Sequence, residues 1–307
     1  MSALELGASL YVPASRCDLL AIANGLRHPE LRSVIFCTED SIRADDLERA
    51  LEQLATVLPR FGPRPHTRRF IRVRNADVLR RILPMPGIER IDGFVLPKVT
   101  RHNLPEYLTE LEGTRFLVMP TLETAEAFDQ VEMRHLQRLL MAETIRPRIL
   151  ALRIGGNDLL NLLGVRRSPR RTIYDTAVGP TIAMLAGTFR PHGLPLTAPV
   201  FEGLAHPEVL LEEVERDLAH GLFGKTAVHP DQVSLIESAY AVSPEELEMA
   251  ERVLAEGAPA VFRMHDTMCE EATHARWAEM IRARAELYGL TGAARLSEAR
   301  HKVGRSA

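Results

Sequence analysis

Short apolar runs alternate with longer amphipathic segments along most of the chain. Eight of these runs have the length and β-rich composition of buried strands. They cover residues 9–13, 33–37, 70–74, 93–97, 115–120, 149–155, 194–200 and 225–230. Most are followed by a helical pattern, such as residues 45–58, where leucines recur at three- and four-residue spacing. Repeated strand–helix units of this number predict a closed (β/α)8 TIM barrel rather than an open doubly wound sheet.

The pattern changes after residue 243. Two amphipathic helical segments, 244–257 and 274–290, flank a short strand-and-loop excursion. We therefore predict a barrel domain over residues 1–243. Residues 244–307 are predicted to form a C-terminal helical extension that packs on the barrel or on a neighbouring subunit.

Composition narrows the function classes. The 307 residues are 46% hydrophobic and 26% charged, with a net charge of −3, so no basic field favours nucleic acid. No apolar stretch approaches the roughly 18 residues that a membrane span needs. The three scattered cysteines form no CxxC pair, which indicates a reducing compartment, and we expect a cytoplasmic protein. No GxGxxG motif follows the first strand, which argues against dinucleotide binding.

Polar side chains stand at or just after the carboxyl ends of nearly every predicted strand, where a barrel of this kind carries its chemistry. These residues are Glu39, Asp40, Arg72, Arg74, Asn75, Lys98, Glu123, Asp158, His229 and Gln232. Glu123 and Asp158 suit a hard cation such as Mg²⁺, whereas zinc spacing of His and Cys is missing. A nearby arginine would clamp a carboxylate, so metal and arginine together indicate a keto acid or hydroxy acid substrate.

Seven motifs in order resemble the HpcH/HpaI aldolase and citrate lyase β-subunit family, a set of Mg²⁺-dependent carbon–carbon lyases on a TIM barrel. They are LYVPA (10–14), CTEDSI (37–42), IRVRN (71–75), LPK (96–98), ET (123–124), GGNDLLNLLG (155–164) and GLFGKTAVHPDQ (221–232). The resemblance covers residues 9 to about 288, and it implies that Glu123 and Asp158 hold Mg²⁺.

The resemblance also implies roles for other residues. The predicted catalytic residues are Glu39, Asp40, Arg72 and Glu270, and the predicted substrate-binding residues are Arg72, Asn75, Lys98 and His229. Arg74 follows Arg72 at a spacing of two and is expected to share its face. Glu270 takes the place of an acid that commonly serves a neighbouring subunit, so a homotrimer or hexamer is expected.

Two departures from the family pattern mark a divergent branch, similar to the citrate-lyase-like proteins of tellurium-resistance clusters. Cys37 and Thr38 replace the first Asp and the Leu of the family's DLEDAV. The segment HDTMCE, ending at Glu270, replaces DGKMVD.

The resemblance implies a lyase that cleaves a hydroxy acid derived from a 2-keto acid, with a coenzyme A thioester of the malyl-CoA or citramalyl-CoA type as substrate. The alternative is a divergent barrel without this activity, which binds a phosphorylated or nucleotide-like ligand in a stress response. The Arg-rich stretches GPRPHTRRF (62–70) and GVRRSPRR (164–171) would serve that ligand.

Overall fold

The computed structural model describes residues 1–63 and 66–292, and these form two compact units divided between Ile236 and Glu237. The predicted boundary at residues 243 and 244 falls inside the second unit. In the part of the chain that the model describes, no helix has the length and hydropathy needed to cross a membrane.

Eight parallel strands build the first unit. They are β1 (Ala8–Pro13), β2 (Ser33–Cys37), β3 (Arg68–Arg72), β4 (Gly93–Leu96), β5 (Leu117–Leu122), β6 (Leu152–Ile154), β7 (Leu196–Thr197) and β8 (Lys225–Ala227). Each strand from β1 to β6 lies beside its successor in the chain, and β8 lies beside β1. A single bridge between Ala198 and Lys225 joins the β7 and β8 ends of this order. The predicted (β/α)8 barrel is confirmed.

Helices follow the strands as the amphipathic patterns predict. They are α1 (Leu19–Ala23), α2 (Leu47–Val57), α3 (Ala76–Ile82), α4 (Leu104–Glu110), α5 (Gln130–Leu140), α6 (Gly156–Leu162), α7 (Gly179–Phe189), α8 (Pro207–Ala219) and α9 (Asp231–Ala239). On α2 the buried side chains include Leu51 and Leu54, which lie on the predicted apolar face. Asn75 and Asp129 start α3 and α5 by accepting hydrogen bonds from backbone N–H groups of the first turn.

Two strands are shifted along the chain relative to the predicted runs, and β6, β7 and β8 are shorter than predicted. β3 spans Arg68–Arg72, two residues earlier than predicted, because its pairing with β2 begins at Ser33 and Arg68. β5 continues through Pro120 to Leu122. Proline removes only one ladder donor, and Thr121 and Leu122 pair with β6 immediately afterwards. As a result, Arg72 is the last residue of β3, and Glu123 directly follows β5.

The interior of the barrel changes from apolar to polar along the strands. Ile35, Phe70, Val95 and Met119 belong to one buried apolar cluster. Side chains two positions further along a strand point to the same face. Those positions carry Cys37 after Ile35, Arg72 after Phe70 and Thr121 after Met119. The barrel interior is therefore apolar along the earlier part of these strands and polar at their carboxyl ends.

The second unit has its own core. It contains α10 (Pro244–Val253), α11 (Glu271–Tyr288) and an antiparallel hairpin of β9 (Val261–Met264) and β10 (Thr267–Glu270). Ser243 and Glu246 form a reciprocal capping box at the start of α10. The buried side chains of this core are Val242, Ala250, Val253, Cys269, Ala278 and Ile281. Residues 293–307 of the predicted extension lie outside the described residues.

Candidate active site

A cavity of about 410 Å³ opens at the carboxyl ends of the barrel strands. Four of the predicted site residues line it, namely Asp40, Arg72, Glu123 and Asp158. The other lining residues include Tyr11, Cys37, Thr121, Arg153, Gly155, Asn161, Val200, Thr226 and Val228. Strand ends that are far apart in sequence therefore meet around one small space, as the barrel geometry requires.

Arg72 joins three carboxylates in this cavity. Its Nη2 atom lies 2.6 Å from Glu39 Oε2, 3.0 Å from Asp40 Oδ2 and 3.1 Å from Glu123 Oε1. Burial opposes the charge of Arg72, but Tyr11, Glu123 and Glu39 keep its pKa above the ordinary value. Its Nε–H is buried and has no hydrogen-bond partner among the described residues. Arg72 thus holds the carboxylates in place and keeps one donor unused.

Glu123 is buried beside the end of β5. Its Oε1 atom accepts a hydrogen bond from the backbone N–H of Lys98 at 2.9 Å. Its Oε2 atom is buried, and residues 1–63 and 66–292 offer it no hydrogen-bond partner. Burial raises the pKa of Glu123 to about 7, against the opposing effect of Arg72 and with a contribution from Asp158. One oxygen of this carboxylate is therefore paired, whereas the other is buried without a described donor.

Gly155 makes room for this carboxylate. A Cβ atom at residue 155 would lie 2.2 Å from Glu123 Oε2, which is far inside van der Waals contact. The backbone at this position is not left-handed, with a φ of −87°. The glycine is required by the close approach of Glu123 rather than by its own conformation.

Lys98 lies among the same carboxylates. Its Nζ atom is 2.6 Å from Glu39 Oε1, 3.5 Å from Asp40 Oδ1 and 3.6 Å from Asp158 Oδ1. Its backbone is left-handed, with a φ of 49°, which is a strained conformation for a residue with a side chain. We name the six residues that meet here the mouth cluster: Glu39, Asp40, Arg72, Lys98, Glu123 and Asp158.

Glu39 and Asp40 are adjacent in the chain but differ in environment. Glu39 is 5% exposed, and burial raises its pKa, although Arg72 and Lys98 oppose the shift. Burial also acts on Asp40, but hydrogen bonding with Glu39 and the charges of Arg72 and Lys98 lower its pKa. Asp40 lines the cavity and has a side chain that is 54% exposed. Asp40 is thus the more exposed member of the pair and the one that lines the cavity.

Three other predicted residues lie elsewhere on the barrel rim. Asn75 caps α3 with its side-chain oxygen, and its predicted substrate contact stays a prediction. His229 has a side chain that is 47% exposed, and its Nδ1 atom accepts from the backbone N–H of Asp231. Arg74 donates to the backbone carbonyls of Thr38, Glu39 and Ile42. Because β3 ends at Arg72, the two-residue alternation does not extend to Arg74.

Glu270 belongs to the second unit. It ends β10, and its Oε2 atom accepts a hydrogen bond from the hydroxyl of Thr273 at 3.0 Å. Its backbone N–H donates to His274 Nδ1 at 2.9 Å. The predicted acid role of Glu270 stays a prediction.

Sequence analysis missed the polar residues inside the barrel, above all Arg153 on β6. Arg153 is 2% exposed and lines the cavity together with Tyr11, Thr121 and Thr226. The signal was present, because Arg153 is the only charged residue in the apolar run ILALRIG at 149–155. A buried arginine in such a run requires a partner or a ligand.

A second group of charged side chains is buried between β8 and α8. Lys225 Nζ lies 2.9 Å from Glu213 Oε1 and 2.8 Å from Asp217 Oδ2. Arg167 pairs with Glu213 Oε2 at 2.6 Å, and the Tyr174 hydroxyl donates to Asp217. We name these five residues the buried cluster. Lys225 at the start of the last strand is therefore a structural residue.

Two arginines of the other Arg-rich stretch, residues 62–70, also bind groups within the barrel unit. Arg68 pairs with Glu5 at 2.6 Å, and Arg69 donates to the backbone carbonyls of Ala23 and Gly62. Residues 64 and 65 of this stretch lie outside the described residues. Gln232 joins two loops, because its Nε2 donates to the carbonyl of Phe201 and its Oε1 accepts from the N–H of Val228.

The fold agrees with a comparison against known protein families. Residues 1–290 match the family model described as C-C bond lyase of the TIM-barrel fold. The chain therefore belongs to this enzyme family, and the resemblance drawn from its motifs is confirmed.

Named relatives and solved structures are similar to this chain over most of its length. A (3S)-malyl-CoA thioesterase of Cereibacter sphaeroides is 31% identical over 252 residues, which is 80% of this chain and 81% of the relative. The fold is shared with CitE of Mycobacterium tuberculosis in complex with magnesium, acetoacetate and coenzyme A. That match has a TM-score of 0.69, 22% identity and coverage of 92% of this chain and 98% of CitE. A citrate lyase of Burkholderia xenovorans has a TM-score of 0.73, 19% identity and coverage of 95% and 94%.

Proposed function

We propose that the protein is a Mg²⁺-dependent carbon–carbon bond lyase. Its substrate is a hydroxyacyl-CoA thioester of the malyl-CoA or citramalyl-CoA type, and one product is a 2-keto acid. The observation that carries the proposal is the charge of the mouth cluster. Four carboxylates meet only two cationic side chains there, and Glu123 Oε2 is buried without a described partner.

The residues present fit a divalent cation. The two negative charges in excess equal the charge of Mg²⁺, and Glu123 and Asp158 offer the carboxylate oxygens that it prefers. The described residues contain no group of three or more His, Cys, Asp or Glu arranged for a metal. Mg²⁺ needs only one or two carboxylates when water and substrate oxygens complete its coordination. When bound, it would polarise the keto-acid carbonyl as a Lewis acid.

The proposed base is Asp40, and Glu39 is its buried neighbour. Asp40 is ionised and faces the cavity, so it accepts the proton of the substrate's β-hydroxyl as the carbon–carbon bond breaks. The bonding electrons pass to the α-carbon of the thioester, which becomes an enolate. Glu270 is the proposed acid that protonates this carbon. Lys98 stabilises the ionised carboxylates, and Arg72 keeps them fixed and contacts the substrate carboxylate.

A second candidate activity is hydrolysis of the same thioester. It is favoured by the relatives at 31% identity, which are named as (3S)-malyl-CoA thioesterases. In this reaction water attacks the thioester carbonyl, and the products are malate and free coenzyme A. The carbon–carbon bond stays intact.

Product analysis separates the two activities. The protein is incubated with malyl-CoA, with citramalyl-CoA and with the free acids, with and without Mg²⁺, while keto acid and free thiol are measured together. A lyase releases keto acid and no free thiol, because the coenzyme A stays in an acyl thioester. A hydrolase releases free thiol and no keto acid.

The variant Glu123→Gln tests the site in the same assay. It should abolish Mg²⁺-dependent keto acid release, whereas Glu52→Gln, at an exposed position on α2, should leave it unchanged. If keto acid is released only from the free acids, the proposed bond cleavage stands, and coenzyme A is not part of the substrate. Folded protein that yields neither product from any substrate would contradict the proposal.

A further inference from the structure

Arg153 differs from Arg72 in its partners, although both line the cavity. Its Nη2 donates to the Thr226 hydroxyl at 2.5 Å, and its Nη1 lies 3.9 Å from Met119 Sδ. No carboxylate of the described residues forms an ion pair with it. The guanidinium is 5.5 Å from the centre of the Tyr11 ring, against which Arg72 also lies at 5.9 Å. This positive charge at 2% exposure thus contacts a hydroxyl, a thioether and an aromatic ring, and it takes part in none of the ion pairs of the described residues.

Next to Arg153, the buried hydroxyl of Thr121 lacks a hydrogen-bond partner among the described residues. Thr121 is in register with Arg153 across β5 and β6, so the two side chains point to the same side of the barrel wall. Thr121 is 3% exposed and lines the cavity, and its hydroxyl has no hydrogen-bond partner within the described ranges. The Nε–H of Arg72 is a third unused group in the same space.

Buried charges and buried hydroxyls without partners destabilise a protein, so such a group indicates a missing ligand. The ligand must be an anion, because the two partners are a guanidinium and a hydroxyl. A carboxylate accepts hydrogen bonds from both and matches the planar guanidinium. Arg72 is less suited to neutralise it, because its charge is already shared among three carboxylates.

We propose that Arg153 and Thr121 bind the carboxylate of the 2-keto acid inside the barrel. This inference rests on the proposed function and deepens it, because it names the residue that selects an acidic product and substrate. Arg72 then acts mainly on the mouth cluster, and its free Nε–H supplements the contact. Neutral carbonyl compounds of the same size are rejected, since they leave the buried charge uncompensated.

Direct binding tests the proposal without turnover. Pyruvate and its neutral amide, pyruvamide, are titrated calorimetrically into the full chain, with and without Mg²⁺. The wild type should prefer pyruvate. Arg153→Met should weaken pyruvate binding by about tenfold or more and leave pyruvamide unchanged, because only the charge-assisted contact is lost. Thr121→Val should weaken pyruvate binding less, and Arg171→Met, at an exposed position, should not change it.

Thermal unfolding of the ligand-free variants adds a readout that distinguishes a structural role. Arg153→Met should unfold at the same or a higher temperature than the wild type, because it removes a buried uncompensated charge. An unchanged preference for pyruvate in this variant would overturn the proposal. So would equal competition by inorganic phosphate, which would indicate an unspecific anion site.

If Arg153→Met does not fold, pyruvate binding is measured in Thr121→Val and in Arg153→Lys instead. Unchanged pyruvate binding in both would overturn the proposal. The proposed lyase activity is judged separately: pyruvate bound through Arg153 without cleavage of any thioester would reject the activity and retain the carboxylate site.

Discussion

The barrel unit buries two groups of charged side chains, and they differ in balance. In the buried cluster, Lys225 and Arg167 face Glu213 and Asp217, and these side chains are 0–1% exposed. In the mouth cluster, Arg72 and Lys98 face four carboxylates, and the side chains of Asp40 and Lys98 are about half exposed. The first group is neutral and closed, whereas the second carries excess negative charge and opens to the cavity.

The hydrogen-bond partners differ in the same way. Both carboxylate oxygens of Glu213 and of Asp217 are bonded, and within the described residues the unused polar atom of this cluster is Arg167 Nε. The mouth cluster leaves Glu123 Oε2 and Arg72 Nε without partners. A balanced cluster stabilises the fold, and an unbalanced one keeps the capacity to bind a ligand. Three substitutions test this distinction.

The largest effect on stability is expected for Lys225→Met. The change leaves Glu213 and Asp217 buried with one cation fewer, which should lower the free energy of unfolding by about 3–5 kcal/mol. Urea denaturation measures this difference. The matched control is Arg49→Met, which removes an exposed pair with Asp46 and should change stability by less than about 1 kcal/mol. If Lys225→Met lowers the free energy of unfolding by less than about 1 kcal/mol, the proposed difference between the two clusters is contradicted.

The opposite sign is expected for Glu123→Gln in metal-free protein. The folded-state pKa of Glu123 is raised from 4.5 to about 7. Its contribution to stability is therefore fully present below about pH 4.5 and is lost as the pH rises to 7. The loss is on the order of 3 kcal/mol at about 1.4 kcal/mol per pH unit.

Denaturation at several pH values measures this effect. Glu123→Gln should remove most of the decline in the free energy of unfolding with rising pH. The variant should be more stable than the wild type at pH values above 7. Mg²⁺ should stabilise the wild type at the same pH and leave the variant unchanged. A variant that is less stable than the wild type above pH 7 would show that Glu123 is structural.

A smaller effect on stability is expected for Gly155→Ala. Its Cβ would displace Glu123 Oε2, so Mg²⁺-dependent turnover should fall by about 100-fold, while overpacking costs about 1–3 kcal/mol. Gly187→Ala is the control, since nothing lies within 4 Å of its added Cβ and it is inside α7. The control should gain up to about 1 kcal/mol and keep full turnover. Equal turnover in both variants would contradict the close fit between Gly155 and Glu123.

Much of the fold could be predicted from the sequence, because buried parallel strands are short apolar runs. The segments around Val34, Phe94 and Thr226 became strands near their predicted bounds. The start of β3 and the end of β5 could not be predicted, since register with a neighbouring strand decides them and alternation does not. The continuation of β5 through Pro120 is an example.

The candidate site was predictable only where residues stand at strand ends. Glu123 and Asp158 follow buried runs, Arg72 ends one, and the barrel brings all three to one cavity. Arg153 lies within a strand, where strand-end reasoning does not look. Lys225 begins the predicted run 225–230, but only the packing of α8 shows that its side chain is directed at Glu213 and Asp217.

The closure of the barrel has a consequence for how the molecule can open. β7 is only two residues long. Within the described residues, the backbone contacts between β7 and β8 include the Ala198–Lys225 bridge and two hydrogen bonds, from Ala198 N–H to the carbonyl of Gly224 and from Phe223 N–H to the carbonyl of Leu196. The same Lys225 carries the ammonium of the buried cluster. Local fraying of this seam would therefore hydrate two carboxylates and their cation together, so the thinnest part of the wall opens cooperatively with the interior.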